Sequence, residues 1–335
     1  MQTIVRYVFL VLSILLLVVF IWFFVGTPKK AEKINWGVNF SQKQAIFLEI
    51  DPKEAYLALL QDLNIKNIKI AVHWDLLETE KDKYDFSDLD WQMSEAQKNN
   101  AKIVLAIGMK TPRWPECHIP QWAINLNKKQ QQEQILKYLT AVINRYKDSS
   151  AILAWQVENE PFLAFGSCPW SDENFLKQEI LLVKQIDQNK HPIIITDSGE
   201  MSTWTRASNM GGDMVGFTTY RMVWQETLKQ YVSYSPWYTP MFYYRRAQVI
   251  NMLYGKKAIG VELQAEPWCQ ASVMLAPIEE QQKTMSLDQL KKNIQFAKDT
   301  GIDTYYLWGG EWWYWMKEKQ NHPEYWQEIK KLFAE

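Results

Sequence analysis

Apolar residues recur along this chain with two alternating periods, and the alternation predicts eight strands with helical patterns between them. Ile34–Phe40 reads as the first strand. Asp51-Pro52 then supplies a cap and a first-turn proline for a helix with Tyr56, Leu59, Leu60 and Leu63 on one face. Ile68–Val72 is the second strand, and Ser87-Asp88-Leu89-Asp90 opens a helix carrying Leu89, Met93 and Ala96. Ile103–Ile107 is the third; after a long loop its helix carries Ile135, Leu139, Val142 and Tyr146. The fourth runs through Ile152-Leu153-Ala154-Trp155 toward Glu160, and its helix opens at Ser171 with Leu176, Ile180 and Val183 inward. Pro192–Thr196 and Met214–Thr218 are the fifth and sixth strands. Thr239-Pro240 begins a helix that Gly255 ends, and Lys257–Val261 follows as the seventh strand. A helix from Ser286 to Thr300 stops at Gly301, and Ile302–Leu307 is the eighth strand. Eight such units favour a closed (β/α)8 barrel over an open doubly wound sheet. No glycine-rich phosphate loop follows the first strand, which counts against nucleotide binding.

The first thirty residues stand outside this rhythm. Tyr7 to Val25 is apolar and aromatic apart from Ser13, long enough for a bilayer span and longer than the usual core of a cleavable signal. Residues 1–30 therefore read as a membrane anchor with its flank, and residues 31–335 as one catalytic domain. Arg6 precedes the span, but Lys29, Lys30 and Lys33 follow it, so counting positive charges does not orient it outward. The competing reading is a secreted protein whose signal is removed.

Composition narrows the partners. A net charge of −1 and no basic run interleaved with aromatics leave no case for nucleic acid. Seventeen Trp and sixteen Tyr, several in predicted loops, suit the apolar faces of sugar rings. Four scattered histidines and no cysteine pair with ligand spacing speak against a metal centre, and no cofactor is expected. Of three cysteines, Cys117 and Cys168 fall in adjacent loops after predicted strands; a disulfide is expected there, which requires an oxidising compartment.

The chemistry concentrates in Ala154-Trp155-Gln156-Val157-Glu158-Asn159-Glu160-Pro161, where an apolar run ends in an amide, an acid and a ladder-blocking proline. About a hundred residues on, the seventh strand leads into Glu262. Two carboxyl groups at two strand ends are what cleavage of a glycosidic bond requires. Glu266, in Glu262-Leu263-Gln264-Ala265-Glu266-Pro267, competes with Glu262 for the second role. The direct approach of the strand to Glu262 favours Glu262, and leaves Glu266 to bind sugar hydroxyls or orient a neighbour.

From Ile34 to the C-terminus the chain resembles the retaining (β/α)8 glycoside hydrolases of clan A, which include cellulases, β-mannanases and β-galactosidases. Those enzymes end the fourth strand with Asn-Glu and the seventh with Glu, as Asn159-Glu160 and Glu262 do here. The resemblance implies double displacement, with Glu160 as acid/base, Glu262 as nucleophile and Asn159 donating to the sugar 2-hydroxyl. It also implies a sugar platform at Trp308 and a Tyr220 hydrogen bond to the nucleophile. Trp74 and Trp114 are weaker subsite candidates, and Pro112-Arg113-Trp114-Pro115 is closer to the β-galactosidase-like members. Lys69 stands where many members carry Arg, and Gly108-Met109 and Thr218 stand where many carry His. The expected partner is an oligo- or polysaccharide, the expected state a monomer, and the expected place the outer face of a cell membrane. A barrel that binds glycans without turnover is the alternative.

Overall fold

The computed structural model describes residues 2–235 and 237–334. Eight parallel strands close into a barrel: Asn35–Phe40, Asn67–Ala71, Lys102–Ile107, Ile152–Val157, Ile193–Asp197, Met214–Thr219, Lys257–Gln264 and Thr304–Trp308, each beside its neighbour in chain order and the first beside the last. Helices between them cover the outside, and the expected (β/α)8 barrel is the fold. Asp51 caps the helix Pro52–Gln61 through the N–H groups of Lys53 and Glu54, and Thr239 and Gly255 bound the helix Pro240–Tyr254. The helix after the fourth strand differs by two residues: Asp172, not Ser171, accepts from the free N–H groups, and the helix runs Glu173–Asp187.

Val104, Ala154, Ile194, Ile259, Val261 and Tyr306 pack together inside the barrel. The larger core lies outside the strands, where Leu59, Leu139, Ile180, Leu290 and Trp313 are buried beneath the helices. The inner cluster closes the barrel floor, so polar side chains inside it gather toward the C-terminal ends of the strands.

The seventh strand runs three residues past its expected end. Gly260 pairs with Phe217 and Glu262 with Thr218 on one side; Gly260 pairs with Tyr305 and Leu263 with Leu307 on the other. One extra residue is thus accommodated at Val261. A bulge of this kind turns two consecutive side chains to the same face. Val261 joins the inner apolar cluster and Glu262, its neighbour, also points inward.

The helix Gln2–Phe24 contains, at Ile4–Phe24, a stretch long and apolar enough to cross a membrane. Its end meets the barrel where Phe24 stacks on Phe242, ring centroids 5.2 Å apart. A short hairpin, Met222–Gln225 with Gln230–Ser233, follows the sixth strand and was not foreseen in the sequence.

Cys117 and Cys168 are bonded, and Cys269 is free. The bridge ties the loop after the third strand to the loop after the fourth across 51 positions of sequence. Closing a loop of that length in the unfolded chain is worth about 4 kcal/mol in the chain-entropy picture. Changing both cysteines to serine should lower the urea unfolding free energy by roughly 2–5 kcal/mol, read on the full-length protein in detergent.

Candidate active site

After Val157 the chain turns twice through the left-handed region, at Glu158 (φ 59°) and Glu160 (φ 41°). Neither residue adopts that conformation cheaply, and such strain persists only where surrounding contacts hold it. They do so here. The Glu158 carboxylate accepts the N–H groups of Met109 and Lys110 at 2.7 and 2.8 Å. That approach leaves no room for a side chain at Gly108, whose φ is 128°. The Asn159 N–H donates to the Lys110 carbonyl at 2.7 Å, and the Glu160 N–H to Thr196 Oγ1 at 2.7 Å. Lys110 Nζ in turn donates to the carbonyls of Glu160 and Leu163.

Glu160 and Glu262 meet inside the mouth in opposite surroundings. Lys69 Nζ donates to Glu262 Oε1 at 3.1 Å, and Tyr220 OH to Oε2 at 2.9 Å. The pair is nearly dry, with side chains 1% and 4% exposed. Burial pulls the Lys69 pKa down, and the Glu262 charge opposes that pull. Glu160 receives one bond to its carboxyl, from Thr218 Oγ1 at 3.0 Å. Its burial, then the charges of Glu262 and Glu116, raise its pKa well above the usual carboxylate range.

Glu116 is a third acid in this group, and sequence reasoning missed it. It lies directly before Cys117 in the loop after the third strand, and Asn159 Nδ2 donates to its Oε2 at 3.0 Å. Gln156 Nε2 donates to Asn159 Oδ1 at 3.2 Å, so the Asn159 amide is held at both ends. Burial pushes Glu116 up to about 7. An acid next to a loop cysteine is a weak sequence signal, because its partner Asn159 lies 43 positions away.

Glu266 is engaged elsewhere. Both its oxygens pair with the Arg113 guanidinium, Nη2 to Oε2 at 3.1 Å, and Arg113 Nη2 also meets Glu311 Oε2 at 3.0 Å. The Arg113 guanidinium lies 3.9 Å from the centre of the Trp308 ring, covering one face of that indole. Tyr220 touches Glu262 directly, and Trp114, 68% exposed, stands at the rim beside Phe165. Trp74 is not part of the site. Its ring is 0% exposed, packed against Trp122 and Tyr138, and its indole N–H donates to Glu78. A tryptophan one residue past a strand end and its histidine has the spacing of a subsite residue, but the chain turns into the helix Trp74–Leu77 there and points it at the outer core. His73 is likewise structural: it is buried, bonded to Ser41 and Thr111, and its ring lies tilted against that of His118.

Residues 31–178, under half of the chain, match the model of Glycosyl hydrolase family 10. A β-galactosidase, BgaA of Clostridium cellulovorans, is 27% identical over 172 residues, 45% of this chain; the match spans 26% of that protein's own length. An endo-β-1,4-xylanase of family 10 from Gloeophyllum trabeum superposes with a TM-score of 0.54 at 15% identity, over 83% of this chain and 84% of that one. A family 5 enzyme from Streptomyces cattleya, solved with GlcNAc, gives 0.60 at 11% identity over 83% and 70%. At such identities the superpositions speak for the barrel alone. The family match over residues 31–178 and the shared barrel are what this chain has in common with those glycoside hydrolases.

Two outcomes test this electrostatic picture. Lys69→Met strands a buried Glu262 carboxylate and should lower the unfolding free energy by about 3–5 kcal/mol in urea titration at neutral pH. Glu116 is raised in the folded state, so its contribution to stability is full below the ordinary value of 4.5 and is lost as pH rises toward about 7. Glu116→Gln should therefore flatten the fall of the urea midpoint across that window; an unchanged slope would refute the assignment.

Proposed function

We propose that the chain hydrolyses β-glycosidic bonds in an oligo- or polysaccharide by retaining double displacement. Support comes from one observation above the others. Of the two inward acids on the fourth and seventh strands, one is paired with a buried ammonium and the other is kept from any direct cation. Two carboxyl groups in such different surroundings are how an acid and a nucleophile coexist in one site.

Glu160, whose burial favours the protonated form, delivers that proton to the departing glycosidic oxygen as Glu262 attacks the anomeric carbon. The carbon–oxygen bond breaks as the ester to Glu262 forms. Glu160, now ionised, takes a proton from an incoming water, whose oxygen displaces Glu262 and frees the sugar. Lys69 and Tyr220 hold the Glu262 carboxylate by one oxygen each, which fixes its rotation for attack. Lysine here does with a point charge what a forked guanidinium does elsewhere, and the Tyr220 hydroxyl supplies the second anchor. Glu266 is the weaker candidate for nucleophile, because both its oxygens are committed to Arg113.

The anchor belongs to the same reading. The apolar helix at Ile4–Phe24, the Cys117–Cys168 bridge and a glycan substrate fit a catalytic domain, residues 31–335, held at the outer face of a membrane by residues 1–30.

Kinetics of three alanine variants on a panel of β-glycosides test the roles. Glu160→Ala should lose about 10²–10⁴ in kcat, and azide should restore turnover as the β-glycosyl azide. Glu262→Ala should be silent, with azide giving the α-glycosyl azide. Glu266→Ala should keep measurable turnover without azide. Azide rescue of Glu266→Ala to the α-product would transfer the nucleophile's role to Glu266.

A further inference from the structure

The third and seventh strands stand opposite one another in the eight-stranded ring. Arg113, from the loop after the third, reaches across the mouth to Glu266, after the seventh, and to Glu311, after the eighth. Its guanidinium lies flat on Trp308. The side chain is buried, with both carboxylate partners buried too. This is a strap over the barrel mouth, and its loop is fastened rather than free. Cys117 is bonded to Cys168; the Thr111 N–H donates to the Glu116 carbonyl at 2.9 Å; the His118 ring bonds the carbonyls of Thr111 and Arg113 at 3.2 and 3.1 Å.

From Tyr220, four rings follow one another outward. Tyr220, bonded to Glu262, meets Trp268 at 5.0 Å between centroids; Trp268 meets Phe165 at 5.9 Å; Phe165 meets Trp114 at 6.2 Å. The row begins at the proposed nucleophile and ends at a tryptophan 68% exposed to solvent. The rings meet edge to face or tilted and together form an apolar path out of the site.

The two features can be assigned to the two sides of the cleaved bond. The leaving oxygen must lie beside the acid, Glu160, which Thr218 of the sixth strand holds. The ring under attack must lie toward Glu262, Lys69 and Trp308, and there the strap stands: Lys69, Arg113, Trp308 and Glu311 line one narrow recess with Asn39 and Ser41. Resting on the acid and nucleophile roles given above, we propose that the Arg113 strap closes the glycone side, so that the enzyme removes one sugar at a time from the non-reducing end. The rest of the substrate leaves over Trp268, Phe165 and Trp114. An internal cut would need an open groove through the place that Arg113 fills.

The test uses the full-length protein in detergent with β-1,4-linked xylo-, cello-, manno- and galacto-hexaose, each labelled at the reducing end, and the matching p-nitrophenyl β-monosaccharides. The expected result is free monosaccharide with labelled pentaose as the first product, and turnover of one p-nitrophenyl glycoside. Labelled dimer or trimer as the first product would overturn the closed pocket while leaving the hydrolase intact. No turnover of any of the eight compounds would overturn the hydrolase reading itself, and the pocket with it. Trp114→Ala should raise KM for the hexaose roughly fivefold more than for the p-nitrophenyl glycoside, the scale of one lost ring contact. Equal effects on both would remove the row from the leaving-group path. Arg113→Ala, where it folds, should shift the first products of the hexaose toward internal cuts.

Discussion

One buried ammonium, paired with a single carboxylate, sets the acids of the site apart. Lys69 enters the barrel from the second strand, loses its water, and is tolerable there because Glu262 meets it at hydrogen-bond distance. A buried pair of this kind contributes little net stability, since desolvating both ions costs about what their attraction returns. What it contributes is an ordering among carboxyl groups. Three acids, Glu116, Glu160 and Glu262, share one dry space, and the cation lies in hydrogen-bond contact with Glu262. Glu116 and Glu160, left without that contact and repelled by Glu262, are pushed toward their neutral forms. The contrast on which the proposed double displacement rests thus comes from burial and from Glu262, not Glu160, holding the lysine.

Everything above that pair depends on two loops being held together. The loop after the third strand supplies Lys110, Arg113, Trp114 and Glu116; the loop after the fourth supplies Glu158, Asn159, Glu160 and Phe165. Backbone bonds to Glu158, the Lys110 ammonium and the disulfide join them at three separate heights. The strained backbone at Glu158 and Glu160 is stable only inside this arrangement. The same fastening sets Arg113 across the mouth, so the acid's geometry and the shape of the pocket are consequences of one construction.

The barrel was legible because its units repeat and each carries its own punctuation. Asp51-Pro52, Thr239-Pro240 and Gly255 bound helices where their local chemistry says they should. Asn159-Glu160 was legible because a strand-like run and a proline bracket it. The disulfide was legible from two cysteines in adjacent loops. Glu116 and Arg113 were not, because their partners lie from 43 to 198 residues away and no local period marks them. Trp74 misled for the converse reason: its spacing from the strand suits a subsite, and only the turn into a short helix sends it to the outer core.

The sequence by itself therefore determined the succession of strands and helices and the two acids at the ends of the fourth and seventh strands, since periodicity and turn chemistry act over a few residues. Tertiary structure decided which acid is buried without a cation and which meets one, a lysine 193 positions from its partner. It also decided that Glu262 points inward at all. Strict alternation would put Glu262 on the face opposite Val261, and the bulge, set by pairing with both neighbouring strands, turns it back into the barrel. Long-range pairing and desolvation are properties of the assembled molecule, and no window of sequence contains them.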